Sequence, residues 1–318
     1  MRTNQPLFGH KKNGIAAALA TVAMFLAPTA FADGLAIAPT QLPAAERTKL
    51  AAEIAQAKRD NPGAFAALRN VKGHKPETYG QYRNPVPMVS RELRQLGNEA
   101  LLPMLEVLAF DAPSLAGATD LEREVYVTGL FDAVGRIRDG RAAPVLHAAL
   151  SATQPGWLHR ASAEAMGRLC DAASLERLRV GLADAVRRTS AISGLGQCRS
   201  VAAAKLLADE LDATVAAEEA RVIAKALGAL GSSWAWQALG PARKADGDKA
   251  RGIAAAALVR GYVRFGGSDE RSAHRQALTL VEHADSARIV SENGMSASVA
   301  VRGELDALAV KIAKRARK

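Results

Sequence analysis

Apolar positions along this chain return with a helical rhythm, and one phrase occurs four times. A glycine near the end of one helical stretch is followed by a short turn and a leucine-bearing helical stretch. The copies are Ala133-Val-Gly135-Arg-Ile137-Arg-Asp139, Ala165-Met-Gly167-Arg-Leu169-Cys-Asp171, Gly194-Leu-Gly196-Gln-Cys198-Arg-Ser200 and Ala226-Leu-Gly228-Ala-Leu230-Gly-Ser232. The aligned glycines stand 32, 29 and 32 residues apart. A period of that size marks a repeat array, because so small a unit cannot bury its own apolar face and must stack on its neighbours. The pattern therefore predicts an all-α chain, an α-solenoid of stacked antiparallel helix pairs.

The clearest units are expected over 120–150, 154–182, 184–211 and 215–243, with a worn copy at Leu96–Leu105. Laid over one another, they share an inward leucine at Leu146, Leu178, Leu207 and Leu239. Leu150, Leu182 and Leu211 follow four places later, where the last unit has Arg243, and that spacing is one helix face. Asp139, Asp171, Ser200 and Ser232 stand just ahead of each second helix, positioned to cap its free amides. The repeated glycine is read as architectural, letting the turn close and the two helices of a pair approach.

Outside these units the pattern is looser. A short lead with Pro39 and Pro43 precedes a helix over about 44–58, and Asp60-Asn61-Pro62 is a helix start. Pro76, Gly80, Pro85, Pro87, Tyr79 and Tyr82 make 73–89 a loop. Helices are expected over 249–265 and 272–283, a flexible break over 286–298, and an amphipathic helix from Val301 with Leu305, Leu308 and Ile312 on one side. The division that results is a signal peptide at 1–32, N-terminal helices and loop at 33–89, the array at 90–265, and C-terminal helices with a basic tail at 266–318.

The first 32 residues change where this object is expected to work. Arg2, Lys11 and Lys12 precede an apolar run from Gly14 to Leu26, and Ala30-Phe31-Ala32 offers a small-x-small cleavage site. That run is short of the roughly 20 residues that span a bilayer, so export with cleavage near Asp33 is expected, to the periplasm or the medium. The formal charge of +10 looks at first like a nucleic-acid footprint. Three of those charges lie in the leader and five in the tail, at Lys311, Lys314, Arg315, Arg317 and Lys318, which leaves the body at +2. No general attraction to phosphate backbones follows, and no nucleic-acid partner is expected. The tail has other readings: it complements the last helix dipole, caps the array, or makes a weak contact with an anionic surface.

Cys170 and Cys198 are the only cysteines, in consecutive units near the ends of first helices. An exported chain permits a disulfide between them. Their places in the repeat differ by one, which would turn side chains on equivalent helices roughly 100° apart. A disulfide and a pair of small core-filling residues are both open readings.

The stretch Gln154-Pro-Gly-Trp157-Leu-His-Arg160-Ala-Ser-Ala163-Glu-Ala165-Met-Gly167-Arg-Leu169-Cys-Asp171-Ala-Ala-Ser-Leu175-Glu-Arg-Leu178 is similar to the short HEAT-like repeat also found in phycobilin lyases. Its first helix carries the family's Arg, Ala, Ala and Leu-Gly pattern, with Met166 in place of that leucine. The likeness covers about 90–265, strongest in the middle. It implies a right-handed stack of helix pairs with an inner and an outer wall. It implies no reaction, since scaffolds, adaptors and some enzymes share the repeat.

Scarce residues show no catalytic or metal-binding spacing. His74, His147, His159, His274 and His283 form no H-x-x-x-H or H-E-x-x-H, and there is no glycine-rich phosphate loop, G-x-S-x-G or C-x-x-C-H. His159 is expected at the surface and His147 at the core boundary. No catalytic residue, metal ligand or cofactor is expected. Recognition is the stronger reading, with the second helices lining the concave wall and Arg141, Glu176, Arg177, Lys205, Trp234 and Gln237 facing a protein partner of the cell envelope. Trp236 falls in the inward register. The function expected is therefore that of an exported protein-binding scaffold or adaptor. The alternative is a bilin-lyase-like enzyme or a protein that handles a chromophore or other small molecule, and it rests on the resemblance alone.

Overall fold

The computed structural model describes residues 34–71, 86–113, 115, 118–153 and 155–316. The expected leader at 1–32, most of the expected 73–89 loop and the last two tail residues lie outside the described residues. Among the described residues the chain is all-α, with no strand.

Two helices lead, α1 (Ala44–Asp60) and the shorter α2 (Pro62–Arg69). Asn61 starts α2 by accepting from the Ala64 amide at 3.3 Å, and Pro62 occupies a first-turn site where its missing N–H costs nothing. Then come α3 (Val86–Gln95), α4 (Leu101–Ala109), α5 (Asp120–Ile137), α6 (Ala143–Ser151), α7 (Gly156–Leu169), α8 (Ala172–Gly181), α9 (Arg188–Leu195) and α10 (Val201–Ala213). The remainder are α11 (Ala217–Leu230), the single-turn α12 (Ser233–Gln237), α13 (Lys244–Arg264), α14 (Ser268–Val281), α15 (Ser286–Asn293) and α16 (Val299–Ala316).

Packing sorts these helices into two rows. In one, α3 rests on α5, α5 on α7, α7 on α9, α9 on α11, and α11 on α14. In the other, α4 meets α6 and α6 meets α8, and further on α10 meets α13 and α13 meets α15. The core lies between the rows, where Leu146, Leu178 and Leu207 are fully buried together with Leu130, Leu195, Leu227 and Leu258. The row of first helices passes through residue 265 without a break, since α14 rests on α11.

The repeated glycines act between units, which corrects the expectation that they serve the turn within a pair. A Cβ on Gly135 would stand 2.7 Å from Cα of Ala165 on the next first helix, and one on Gly228 would stand 2.8 Å from Cα of Ala277. A Cβ on Gly167 would run into the Gly194 carbonyl. Among the described glycines, positive φ occurs instead at Gly97 and Gly240.

Four further expectations need correction. The second helix of the unit at 215–243 is only one turn long, and its place in the row is taken by α13, so Leu239 is half-buried rather than a core leucine. The break expected over 286–298 contains α15. Residues 86–89, expected in a loop, begin α3. His159 is buried, not at the surface, with its Nε2 2.8 Å from the Ala152 carbonyl.

Candidate binding trough

Each first helix ends at the same side of its row, so the residue after the repeated glycine recurs at one edge. In four successive units that residue is Arg136, Arg168, Gln197 and Ala229, and all four line one trough of about 560 Å³. Arg94 enters it from the end of α3, Arg138 and Arg199 from the turns after α5 and α9, Trp234 from α12 and Leu280 from α14. Because the row runs in chain order, the trough changes character along its course. The ends of α3 through α9 contribute arginines, and those of α11 through α14 contribute alanines, Trp234 and Leu280. No acidic residue is part of the lining.

Two carboxylates lie behind the basic half. Asp132 receives Arg136 Nε at 2.8 Å, Arg168 Nη2 at 2.8 Å and the Ser90 hydroxyl. Burial opposes its ionisation, but the Arg168 charge, the Ser90 hydrogen bond and Arg136 together hold its carboxyl below the ordinary range. Glu164 is shared between Arg160 at 2.9 Å and Arg168 at 3.8 Å. Arg94, Arg138 and Arg199 have no carboxylate partner among the described residues.

Arg199 shows the electrostatic consequence most clearly. Burial, and then the fields of Arg138, Arg168 and Arg136, push its guanidinium down to about 10. Its Nη1 donates to the Gly196 carbonyl at 3.1 Å, where the negative end of a helix offsets part of the repulsion. Arg138 is lowered too, by burial first and then by Arg136 and Arg243.

The disulfide closes beside these groups. Cys170 and Cys198 are bonded, with Cα atoms 5.2 Å apart. The 100° offset expected between the side chains does not arise, because neither cysteine belongs to a helix. Cys170 has left α7 with φ 52° and ψ 34°, and Cys198 follows the C-cap of α9 by two residues. The bond therefore ties the end of α7 to the end of α9, next to Arg168 and Arg199.

The six residues expected to face a partner do not converge. Trp234, 75% exposed, is the one that lies in the trough. Arg141 forks onto Asp139, with Nη2 2.7 Å from one oxygen, and borders a separate concavity of about 370 Å³ against Glu46, Lys49 and Glu53 of α1. Gln237 lines another, of about 320 Å³, with Trp236, Lys244 and Arg251. Glu176 pairs with Arg179 at 2.7 Å, while Arg177 and Lys205 are exposed on α8 and α10. Trp236 is buried, and its indole N–H donates to the Leu230 carbonyl at 2.8 Å.

Sequence reasoning missed Arg136, Arg138, Arg168 and Arg199, although all stand inside the repeated phrase. A body charge of +2 averages over the whole surface, and the fold gathers these guanidiniums at one edge. His147 is half-buried, with Nε2 3.1 Å from the Ser174 hydroxyl. Among the described residues no three His, Cys, Asp or Glu side chains converge as a metal site would require, and no helix is long and apolar enough to cross a membrane. In comparisons with known proteins, no family model and no curated sequence matches this chain.

Proposed function

We propose that this chain is an α-solenoid of HEAT-like repeats, exported from the cytoplasm, which binds a protein of the cell envelope and carries out no reaction of its own. The trough carries this reading. It is a continuous concavity built by the same position of successive units, and it holds an exposed tryptophan and three arginines, Arg94, Arg138 and Arg199, that have no carboxylate partner among the described residues. Arginine and tryptophan are the residue types that most often anchor protein interfaces. The two rows of helices and the period of about 30 residues support the repeat assignment. The disulfide supports export, since such bonds persist outside the reducing cytoplasm.

A photoreactive residue at position 234 tests the reading in living cells. One discrete, saturable protein adduct is expected there, and none at exposed Val186, which precedes α9 and does not line the trough. Identical smears at both positions would overturn it.

A further inference from the structure

The trough is divided, and the division describes its occupant. Its basic half holds guanidiniums in excess of the carboxylates behind them, and a ligand that supplies carboxylates there would relieve a repulsion already built into the fold. Its other half presents Trp234 and Leu280, 75% and 53% exposed, which a uniformly charged chain would leave uncovered. Polyphosphate carries charge evenly along its length and has no apolar face, so it would match only half of the lining. A flat anionic membrane would not reach Arg168, whose side chain is only 12% exposed.

The backbone at Arg138 points the same way. Among the described residues, three other than glycine have positive φ: Arg138, Cys170 and Glu282. Cys170 is held by its disulfide, and Glu282 accepts from the Ser233 hydroxyl at 2.9 Å. Arg138, with φ 58° and ψ 35°, is at a helix end where glycine is the favoured residue, and its side chain has no hydrogen-bond partner among the described residues. An arginine in a glycine's place, aimed into a cluster of like charges, fits recognition better than stability.

We infer that the trough takes an acidic protein segment bearing an apolar side chain: its carboxylates meet Arg94, Arg138 and Arg199, and the apolar group lies on Trp234 and Leu280. This rests on the reading of the chain as a protein-binding module.

Fluorescence anisotropy with the whole protein tests it, using a short labelled peptide in which glutamates are followed by leucines. Comparison probes replace glutamate with glutamine or leucine with serine, and inorganic polyphosphate serves as the uniformly charged control. Binding of the acidic, leucine-bearing peptide is expected, weakening as salt rises. Arg138→Gly should raise its Kd by at least about tenfold while the melting temperature holds or increases, because glycine suits that backbone. Trp234→Ala should weaken the leucine-bearing peptide and leave the serine version unchanged. The inference is overturned if the glutamine peptide binds as well as the glutamate one, if polyphosphate alone binds through Arg138, or if no probe binds. A surviving adduct at position 234 in any of those cases keeps the binding-module reading and removes only the acidic assignment; loss of both removes both.

Discussion

The units from α5 to α10 and the unit from α11 to α13 begin alike and end differently. In the first group the turn is closed by a side chain: Asp139 accepts the Arg141 amide at 2.9 Å, Asp171 the Ser174 amide at 2.7 Å, and Ser200 the Ala203 amide at 3.1 Å. Ser232 makes no such bond, and α12 stops after one turn. The chain then passes Gly240, at φ 82°, and Pro241 before α13 takes up the vacant place against α10. A proline disfavours helix at the residue before it, so the interruption is built into Gly240-Pro241. Trp236 fills the space under the broken helix, with Arg243 6.0 Å above its ring and Gly247 against its face. Two places earlier, Trp234 turns outward into the trough. The regular units supply the charged half of the site, and the departure from regularity supplies the aromatic.

The contrast can be broken at its strongest point by Trp236→Ala, which should cost about 4 kcal/mol through the void left beneath α12. A urea midpoint close to wild type would show that this tryptophan does not hold the irregular unit. In the regular units the disulfide closes a separation of 28 residues. Cys170→Ala combined with Cys198→Ala should therefore lower stability by about 3 to 4 kcal/mol, and an equal midpoint with and without reductant in the wild type would contradict that. Gly167→Ala should cost about 3 kcal/mol because two backbones touch there, and Gly240→Ala about 2 kcal/mol for the backbone angle alone, since no atom lies within 4 Å of its Cβ position. Equal losses would erase the distinction between space and conformation. Asp171→Ala should cost about 1 kcal/mol, against less than about 0.5 kcal/mol for Ser232→Ala.

The smallest effect is a gradual one with pH. Burial first, and Arg177, Arg264 or Arg251 respectively among the neighbouring charges, hold His147, His274 and His283 below the ordinary imidazole range. The unfolded chain then takes up protons before the folded one does. Stability should be full above the ordinary histidine pKa and fall as pH drops through it, with Asp132 adding a second fall only in the acid range below ordinary carboxylates. Midpoints that do not change between about pH 7.5 and pH 5 would contradict the histidine part.

The rhythm of leucines was enough to place the helices of the middle units, because one buried face of a helix repeats at fixed spacing whatever its neighbours do. It failed at 232–243, where Leu239 kept the count although Arg243 stood in place of the next leucine, and Gly240-Pro241 forbade the helix. The glycines were visible but not their purpose, since contact between Gly167 and Gly194 depends on which helices become neighbours. The site was less legible than the fold. Trp234 was chosen correctly as outward, yet its companions sit on helices as much as 140 residues away in sequence, from Arg94 to Trp234. Only stacking brings such ends to one edge, and a charge total cannot record it.

A covalent tie between neighbouring units also changes how the molecule responds to a pull. An array held only by side-to-side contacts peels one unit at a time when its ends are drawn apart. Between Cys170 and Cys198 the load bypasses the intervening 28-residue span, hiding roughly 90 to 100 Å of contour that the chain would otherwise release. The arginines flanking that tie remain in register when the helices on either side of it yield.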